Sequence, residues 1–305
     1  MYSYDGLNKF LKEKNMKKSE LSTKLGISSR TSAKIGKGEK LADHVIARLC
    51  DFFGCEKEDI CTEVCDNKIL QVLREEKYAK ISGGLYHETQ VRLTYNSNRI
   101  EGSKLSEDQT RLIFETNTIG AEEGVPVDDI IETANHFRAI DYIIDCAEKP
   151  LTEDIIKELH KILKIGTKDS HLSWFNVGEY KARANVVGRQ ETTPPSKVAG
   201  EIKKLLAAYT QISDMSIENI IKFHYDFEKI HPFQDGNGRV GRLIAFKECL
   251  RFNIVPFIIE DSKKMFYYRG LKEWSCEKGF LIETCLDGQD NYKALLEYFD
   301  IPFND

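Results

Sequence analysis

One short polar stretch, His231–Arg239, lies between two helical patterns and constrains the fold more than any other part of the chain. Before it, apolar side chains recur at the spacing of one helix face from Ile217 onward. Pro232 ends that helix, because proline has no N–H to donate and disfavours helical dihedral angles at the residue before it. After it, Leu243 opens a second, largely apolar helix. The chain must therefore join two helices through a short loop rich in glycine and charge.

This loop has the residue types of an anion-binding site. Gly236 and Gly238 can adopt positive φ and present consecutive backbone N–H groups, which form a nest for anions. The following helix adds its unpaired N–H groups and the positive end of its dipole. Arg239 and Arg242 can supply forked donors to phosphate oxygens. The sequence therefore predicts a polyphosphate site at the start of the second helix.

The same loop carries two groups suited to catalysis at phosphorus. The carboxylate of Asp235 can hold Mg²⁺. The imidazole of His231 titrates near neutral pH, so it can take a proton from an attacking hydroxyl. The alternative is an ordinary corner between two helices, with Gly and Asn selected for turn geometry. That alternative leaves a histidine, an aspartate and two arginines on one tight loop unexplained.

The stretch His231–Arg242 resembles the signature of the Fic family, His-x-Phe-x-Asp/Glu-Gly-Asn-Gly-Arg-x-x-Arg, at every specified position. The flanking helical patterns extend the likeness over residues 70–300. The resemblance implies a helical domain that transfers AMP from ATP to a serine, threonine or tyrosine hydroxyl of a protein target, with Mg²⁺ as cofactor. It further implies that the Asn237 side chain cradles the phosphates together with the glycine backbone. One family branch transfers the terminal phosphate and has lysine at the position of Gly238, so glycine favours nucleotidyl transfer.

A second informative stretch, Leu93–Gly102, precedes the core. Ser97 and Glu101 are four residues apart and share one helix face, and Gly102 is placed to end that helix. The stretch resembles the Fic inhibitory motif Ser/Thr-x-x-x-Glu-Gly/Asn. That resemblance implies that Glu101 pairs with Arg242 and keeps the nucleotide out of its productive position. Two alternatives stay open, namely a solvated glutamate near a helix end and a base that activates water to remove AMP from modified targets.

Residues 178–195 interrupt the helical pattern and resemble the Fic flap, a short hairpin that clasps the target polypeptide. An exposed strand edge could pair with the target backbone and present its hydroxyl to His231. Val186, Val187 and Gly188 are the residues that would dock the target. Earlier in the chain, Ser106 and Gln109 predict a capping box at the start of a further helix.

The first 65 residues read as a bundle of short helices, with the layout of a helix-turn-helix. They resemble the lambda-repressor-like family of such domains. That resemblance implies binding to duplex DNA, with these side chains facing the major groove: Ser28, Ser29, Arg30, Thr31 and Lys34. Docking to a protein or dimerisation is the alternative use of this fold. The chain could then be a transcriptional regulator whose second domain senses nucleotide or modifies the DNA-binding head.

Charge distribution separates the head from the rest of the chain. Residues 1–40 contain 10 Lys and Arg against 4 Asp and Glu, whereas the remainder contains 34 against 45. A basic head on an acidic body suggests that the head has its own partner. The cysteines lack the paired spacing of zinc sites, and no apolar run reaches membrane-spanning length, which predicts a cytoplasmic protein with reduced thiols and no membrane partner. A homo-oligomer stays open.

The predicted architecture is mostly α, with a helix-turn-helix bundle followed by a helical Fic domain with a β-hairpin flap. We assign residues 1–65 to the head, 66–84 to a connecting helix and linker, and 85–305 to the Fic domain. Within that domain we expect an inhibitory helix at 87–102, the flap at 178–195 and the active-site loop at 231–242.

Overall fold

The structure is a computed structural model that describes residues 2–14, 16–18, 20–37, 39–63, 67–120, 124–188 and 190–303. The chain divides into two compact units, Met1–Asn67 and Lys68–Asp305. Helices dominate both units, so the prediction of a mostly α fold is confirmed. No helix formed by the described residues combines the length and the apolar character needed to cross a membrane.

The first unit is a bundle of short helices closed by one small strand pair. Its elements in order are β1 (Tyr2–Ser3), α1 (Asp5–Glu13), α2 (Glu20–Leu25), α3 (Ser29–Gly36), α4 (Asp43–Phe53), α5 (Lys57–Ile60) and β2 (Thr62–Glu63). The strands β1 and β2 are antiparallel, with Ser3 opposite Thr62. Leu7, Leu21 and Leu49 are completely buried in a core that α1, α2 and α4 share. These leucines therefore lie at the centre of this unit.

The second unit contains the remaining helices and a second strand pair. Its elements are α6 (Lys68–Ala79), α7 (Leu85–Ile100), α8 (Glu107–Thr116), α9 (Val127–Asp145), α10 (Glu153–Lys164), β3 (Val186–Val187), β4 (Gln190–Glu191), α11 (Pro195–Thr210), α12 (Ile217–Ile230), α13 (Asn237–Arg251), α14 (Lys264–Glu273) and α15 (Gly279–Tyr298). Short 3₁₀ turns lie at Lys168–His171 and Asp261–Lys263.

Helix α13 forms the centre of the second unit. It packs against α7, α9, α10 and α12, and its side chains are buried on every face as far as Leu250. Val240, Leu243 and Phe246 belong to the main core cluster. A helix that is buried all round must come from the middle of a larger core. The loop that begins this helix is consequently held by packing from several directions.

The structure sets the boundaries near, but not always at, the predicted residues. Helix α6 lies within the range assigned to a connecting helix and linker, and its residues Ile69, Leu70 and Leu73 are buried in the core of the second unit. The predicted inhibitory helix 87–102 corresponds to α7, which begins and ends two residues earlier. The capping box of Ser106 and Gln109 is confirmed, because each side chain accepts a hydrogen bond from the backbone N–H of the other residue.

Candidate active site

Helix α12 ends at Ile230, and His231 caps it in a left-handed conformation with φ 53° and ψ 62°. The backbone N–H of His231 donates to the Phe227 carbonyl at 2.9 Å. A residue with a Cβ atom rarely adopts this conformation, and such residues cluster at functional sites. Pro232 then prevents the helix from continuing, as the sequence predicts. The left-handed cap of His231 thus begins the loop that leads into α13.

Two side chains inside the loop hold it closed. The ring of Phe233 is completely buried and stacks on His160, with the ring centroids 4.0 Å apart and the planes 3° from parallel. The Asn237 side chain accepts from the Phe233 N–H at 2.8 Å and donates to the Phe233 carbonyl at 2.9 Å. The Asn237 amide therefore holds the loop backbone, and its contact with phosphate stays a prediction.

The backbone at the start of α13 has the geometry expected of the predicted anion site. Gly236 precedes the helix with φ 78°, and its carbonyl accepts the first helical hydrogen bond, from Val240. The N–H groups of the first helical turn therefore have no partner within the helix. Such a helix start attracts anions through its free donors and its dipole.

A carboxylate from α7 lies against this helix start. A Cβ atom added at Gly238 would lie 2.1 Å from Oε1 of Glu101, so only glycine leaves room for that oxygen. Glu101 caps the C-terminus of α7, and Gly102 follows with φ 103°. The same Oε1 accepts a hydrogen bond from Nη2 of Arg242 at 2.7 Å. The carboxylate thus lies where the loop and the arginine would meet a phosphate.

Arg242 is bound on several sides within the second unit. Its Nε donates to the Ser97 hydroxyl at 3.0 Å, and its Nη2 donates to the Ser97 carbonyl at 2.9 Å. Its Nη1 lies 3.5 Å from the Tyr267 hydroxyl, which lies 2.9 Å from Nε2 of His224. The guanidinium is buried, and although burial opposes its charge, Glu101 holds the pKa of Arg242 above its ordinary value. Arg242 therefore stays charged in this pocket.

Tyr267, His224 and Glu228 are neighbours of this pair that the sequence reasoning missed. Burial raises the pKa of Glu228 to about 8, and the nearby Glu101 adds to that shift. His224, Glu228 and His231 are spaced by four and three residues, which places them on one face of α12. That spacing is a signal that could have identified them. Nothing in the local sequence connects Tyr267 with Arg242.

A second charge cluster surrounds Asp235. Its Oδ2 accepts from Nζ of Lys164 at 2.7 Å and from Nη2 of Arg239 at 3.3 Å. Glu132 binds both cations, at 2.5 Å from the Lys164 ammonium and through a hydrogen bond from Nη1 of Arg239. Burial opposes ionisation of Asp235, but the charges of Arg239 and Lys164 hold its pKa below the ordinary value. Asp235 is therefore a carboxylate at neutral pH. The sequence reasoning missed Glu132 and Lys164.

Asp235 fits the way proteins usually hold Mg²⁺. That ion is commonly bound by one or two carboxylates together with substrate phosphates and water. The Asp235 side chain is ionised and half-exposed, and both of its cationic contacts fall on Oδ2. Within the described ranges, no group of three or more His, Cys, Asp and Glu side chains could hold a metal ion alone. A cation at Asp235 would therefore take further ligands from bound phosphate.

The protonation of His231 suits a base. Burial lowers the pKa of His231 to about 4, and the positive charge of Lys181 contributes to that shift. The imidazole is consequently neutral at pH 7 and has a lone pair available for a proton. A base whose pKa lies this low accepts the proton only as the nucleophile loses it in the transition state.

The predicted flap segment contains one short antiparallel pair. Val186 lies opposite Glu191, and Val187 lies opposite Gln190. Gly188 has φ 62° at the turn, and Val186 is exposed. The side chain of Val187 lies outside the described part of the chain. The segment thus presents a strand edge, and its use by a target stays a prediction.

In the first unit, α3 carries the side chains predicted to meet DNA. Ser28 caps this helix, accepting from the Thr31 N–H at 3.1 Å, and the two hydroxyls are 2.8 Å apart. These contacts engage Ser28 and Thr31 in forming the helix start. Arg30 is exposed, and Lys34 is partly exposed with Glu39 at 3.9 Å. The side chain of Ser29 lies outside the described part of the chain.

Comparison with known proteins places family models on both units. Residues 150–248 match the model of the Fic/DOC family, and residues 6–66 match that of the Cro/C1-type HTH DNA-binding domain. The first match includes the whole loop from His231 to Arg242, whereas Glu101 lies outside it.

Curated relatives and solved structures agree with the first match. A protein adenylyltransferase Fic from Nematostella vectensis is 29% identical over 190 residues, which cover 59% of this chain and 42% of the relative. Its counterpart from Drosophila persimilis is 30% identical over 183 residues, which cover 58% of this chain and 35% of the relative. The chain thus spans less than half the length of these relatives.

Among solved structures, a Fic domain containing signaling protein from Bacteroides thetaiotaomicron superposes with a TM-score of 0.57 at 25% identity, covering 76% of this chain and 88% of that one. Fic-1 from C. elegans shares the fold, with a TM-score of 0.58 at 20% identity over 85% of this chain and 80% of that one. The chain therefore carries a Fic/DOC domain that follows a Cro/C1-type helix-turn-helix domain.

Proposed function

We propose that the chain transfers AMP from ATP to a serine, threonine or tyrosine hydroxyl of a protein target. One observation carries the proposal. A neutral histidine, an ionised aspartate and two buried arginines surround a helix start whose N–H groups are free to bind anions. Relatives named protein adenylyltransferase support the same reaction. The proposal places the reaction in the cytoplasm, as predicted from the sequence.

The reaction begins with His231. Its neutral imidazole takes the proton of the target hydroxyl as that oxygen attacks the α-phosphorus of ATP. A bond forms between the target oxygen and phosphorus, the bond from the α-phosphorus to the bridging oxygen breaks, and pyrophosphate leaves. Arg239 and Arg242 stabilise the negative charge that develops on pyrophosphate. The proton ends on His231 and returns to solvent.

The phosphates are held by backbone and by charge. The N–H groups that follow Gly236 bind phosphate oxygens, whereas the Asn237 side chain keeps the loop in shape. Asp235 would hold Mg²⁺, which neutralises charge on the α- and β-phosphates when bound. Lys164 and Arg239 keep Asp235 ionised and fixed in position.

Glu101 makes the enzyme autoinhibited in this proposal. Its carboxylate lies against Gly238 and binds Arg242, so it occupies a donor that the γ-phosphate requires. Negative charge at this point also repels an incoming phosphate. Gly238 itself favours nucleotidyl transfer, because the family branch that transfers the terminal phosphate has lysine at this position.

Two further functions have specific support. The match of residues 6–66 to a DNA-binding domain model favours a duplex DNA partner, and with it a regulator that senses nucleotide or modifies its own head. The position of Glu101 beside the phosphate site is also suited to a base that activates water and removes AMP from modified targets. A second copy of the chain, in a homo-oligomer, is a further partner that the proposal leaves open.

The deciding experiment uses ATP labelled at the α-phosphate with Mg²⁺, in the presence and absence of cell lysate. Wild type, Glu101→Gly and His231→Ala are compared, and ATP labelled at the γ-phosphate serves as the control. Label from the α-position in Glu101→Gly, without label from the γ-position, supports adenylyl transfer. Label only from the γ-position, or full labelling by His231→Ala, contradicts it.

A further inference from the structure

Lys181 is a buried cation whose recorded partners are neutral. Its side chain is 3% exposed, and Nζ donates to Oδ1 of Asn185 at 2.7 Å and to the Thr192 hydroxyl at 2.6 Å. Burial lowers the pKa of Lys181 to about 8. A buried charge is costly unless it is paired, and no carboxylate is among the described side chains that bind Lys181. A lysine kept in such a place requires a compensating role.

The hydrogen bonds around Lys181 join the β3–β4 hairpin to the active-site loop. The backbone N–H of Lys181 donates to the Pro232 carbonyl at 2.9 Å. Asn185, which accepts from the ammonium, donates through Nδ2 to the Phe233 carbonyl at 3.2 Å. Thr192, beyond the second strand, donates to the Asn185 carbonyl at 3.0 Å. The Lys181 side chain thus connects both ends of the hairpin. Its backbone N–H and the side chain of Asn185 bind the loop beside the base.

Lys181 also affects the base through its charge. After burial, its ammonium is the main cause of the lowered pKa of His231, whereas the carboxylates of Glu101 and Asp235 act in the opposite direction. The carbonyl of Glu228 also favours the protonated imidazole. Removal of the Lys181 charge must therefore raise the pKa of His231, since those three oxygen groups remain.

We propose that Lys181 is a positioning residue that fixes the β3–β4 hairpin on the loop carrying His231. This inference rests on the proposed adenylyl transfer, in which the hairpin edge holds the target polypeptide before the base. The hairpin is too short to hold its own position, since each strand contributes two residues. The buried ammonium supplies the missing constraint, because it binds the chain on both sides of the strands.

The test compares full-length wild type with Lys181→Met, Lys181→Arg and Thr192→Val. Lys197→Met is the matched control, because Lys197 is an exposed lysine in α11, shortly after the hairpin. Amide hydrogen exchange of residues 181–192 should quicken about ten- to a hundred-fold in Lys181→Met, since hydrogen bonds to a charged group are lost. Thr192→Val should quicken it less, and Lys197→Met should leave it unchanged.

A second readout separates this role from general stability. The imidazole of His231 is titrated by NMR in the same proteins. Lys181→Met should raise the pKa of His231, whereas Lys181→Arg and Thr192→Val, which keep the charge, should leave it near the wild-type value. If Lys181 only stabilised the fold, its replacement would change hydrogen exchange throughout the second unit and leave the pKa of His231 unchanged.

Each result decides the inference. Unchanged exchange at 181–192 in both Lys181→Met and Thr192→Val overturns it, as does acceleration spread evenly over the second unit. If Lys181→Met does not fold, Thr192→Val and Lys181→Arg decide by the same criterion.

Transfer is measured separately with α-labelled ATP in the Glu101→Gly background, where Lys181→Met should lower label transfer at least ten-fold while ATP affinity is unchanged. Absence of transfer in that parent contradicts the proposed function, while exchange and titration still judge Lys181.

Discussion

Replacing Glu101 with glycine should release the active site from inhibition. In the structure this carboxylate binds Nη2 of Arg242 at 2.7 Å and fills the space beside Gly238. Glycine removes both the charge and the volume. It leaves Arg242 bound to the Ser97 hydroxyl and carbonyl, so the arginine keeps its position while one donor becomes free for phosphate.

The expected rise in transfer rate follows from the free energy of the lost hydrogen bond between Glu101 and Arg242. The Arg242 side chain is 4% exposed and the Glu101 side chain is 32% exposed. The arginine end of the hydrogen bond is therefore shielded from water, whereas the glutamate end is partly solvated. A hydrogen bond between charged groups in such a setting contributes about 1.5–3 kcal/mol. Since 1.36 kcal/mol corresponds to a ten-fold change in rate, transfer should rise by about ten- to a hundred-fold.

The assay measures initial rates of label transfer from α-labelled ATP, including self-modification, across a range of ATP concentrations. Glu101→Gln should activate only in part, because the amide fills the space without carrying charge. Arg242→Ala should not activate, because it removes a phosphate donor together with the anchor of the inhibitor. Glu297→Gly at the exposed end of α15 is the matched control for a glycine placed near a helix end.

The reasoning would be refuted by equal rates in wild type and Glu101→Gly at every ATP concentration. Activation by Glu297→Gly to the same extent would refute it too, since backbone loosening would then explain the effect. Loss of the Glu101 side chain also lowers stability, because the hydrogen bond of about 1.5–3 kcal/mol to the buried Arg242 is lost. A lower melting temperature therefore accompanies the expected activation.

Three other perturbations test separate parts of the structure. His231→Ala should lower transfer by at least about 10²-fold while calorimetry finds ATP affinity unchanged. The pKa of His231 is about 4 with Glu101 present, and loss of that carboxylate lowers it further, so the transfer rate of Glu101→Gly should fall only below about pH 4. Arg30→Ala should weaken binding of a preferred duplex more than of random duplex in salt titrations, since this exposed side chain is predicted to contact base edges. Gly270→Ala should lower the melting temperature, because the added Cβ would lie 2.6 Å from the Leu281 Cα, and crowding of this kind costs about 1–3 kcal/mol. Gly200→Ala is the control and should not lower the melting temperature, because the space around Gly200 is open.

The sequence could predict those parts of the structure whose residues lie within a few positions of each other in the chain. Pro232 sets the end of α12 through its own backbone chemistry, and Ser106 forms its capping box with Gln109 three residues away. The pair of Glu101 and Arg242 joins distant segments, yet a resemblance in each segment pointed to it. Local rules and a specific motif were therefore sufficient for these features.

Other parts depend on packing that no local pattern encodes. Glu132 and Lys164 come from α9 and α10, and they meet Asp235 only because those helices pack against α13. The Asn237 side chain was expected to face phosphate, whereas it binds the backbone of Phe233. The sequence specifies an amide at that position, but the closed shape of the loop decides what the amide contacts.

If Glu101 inhibits as proposed, the contacts that hold the active-site loop determine how the site could be switched. The loop is held by Phe233 against His160 and by the Asn237 amide, and neither contact involves Glu101. His231 takes its position from the end of α12, which is also independent of Glu101. Movement of one carboxylate away from Gly238 would consequently open the proposed phosphate site without rebuilding the loop. In this proposal, inhibition is competition for a preformed anion site, and a partner that moves the C-terminal end of α7 would relieve it.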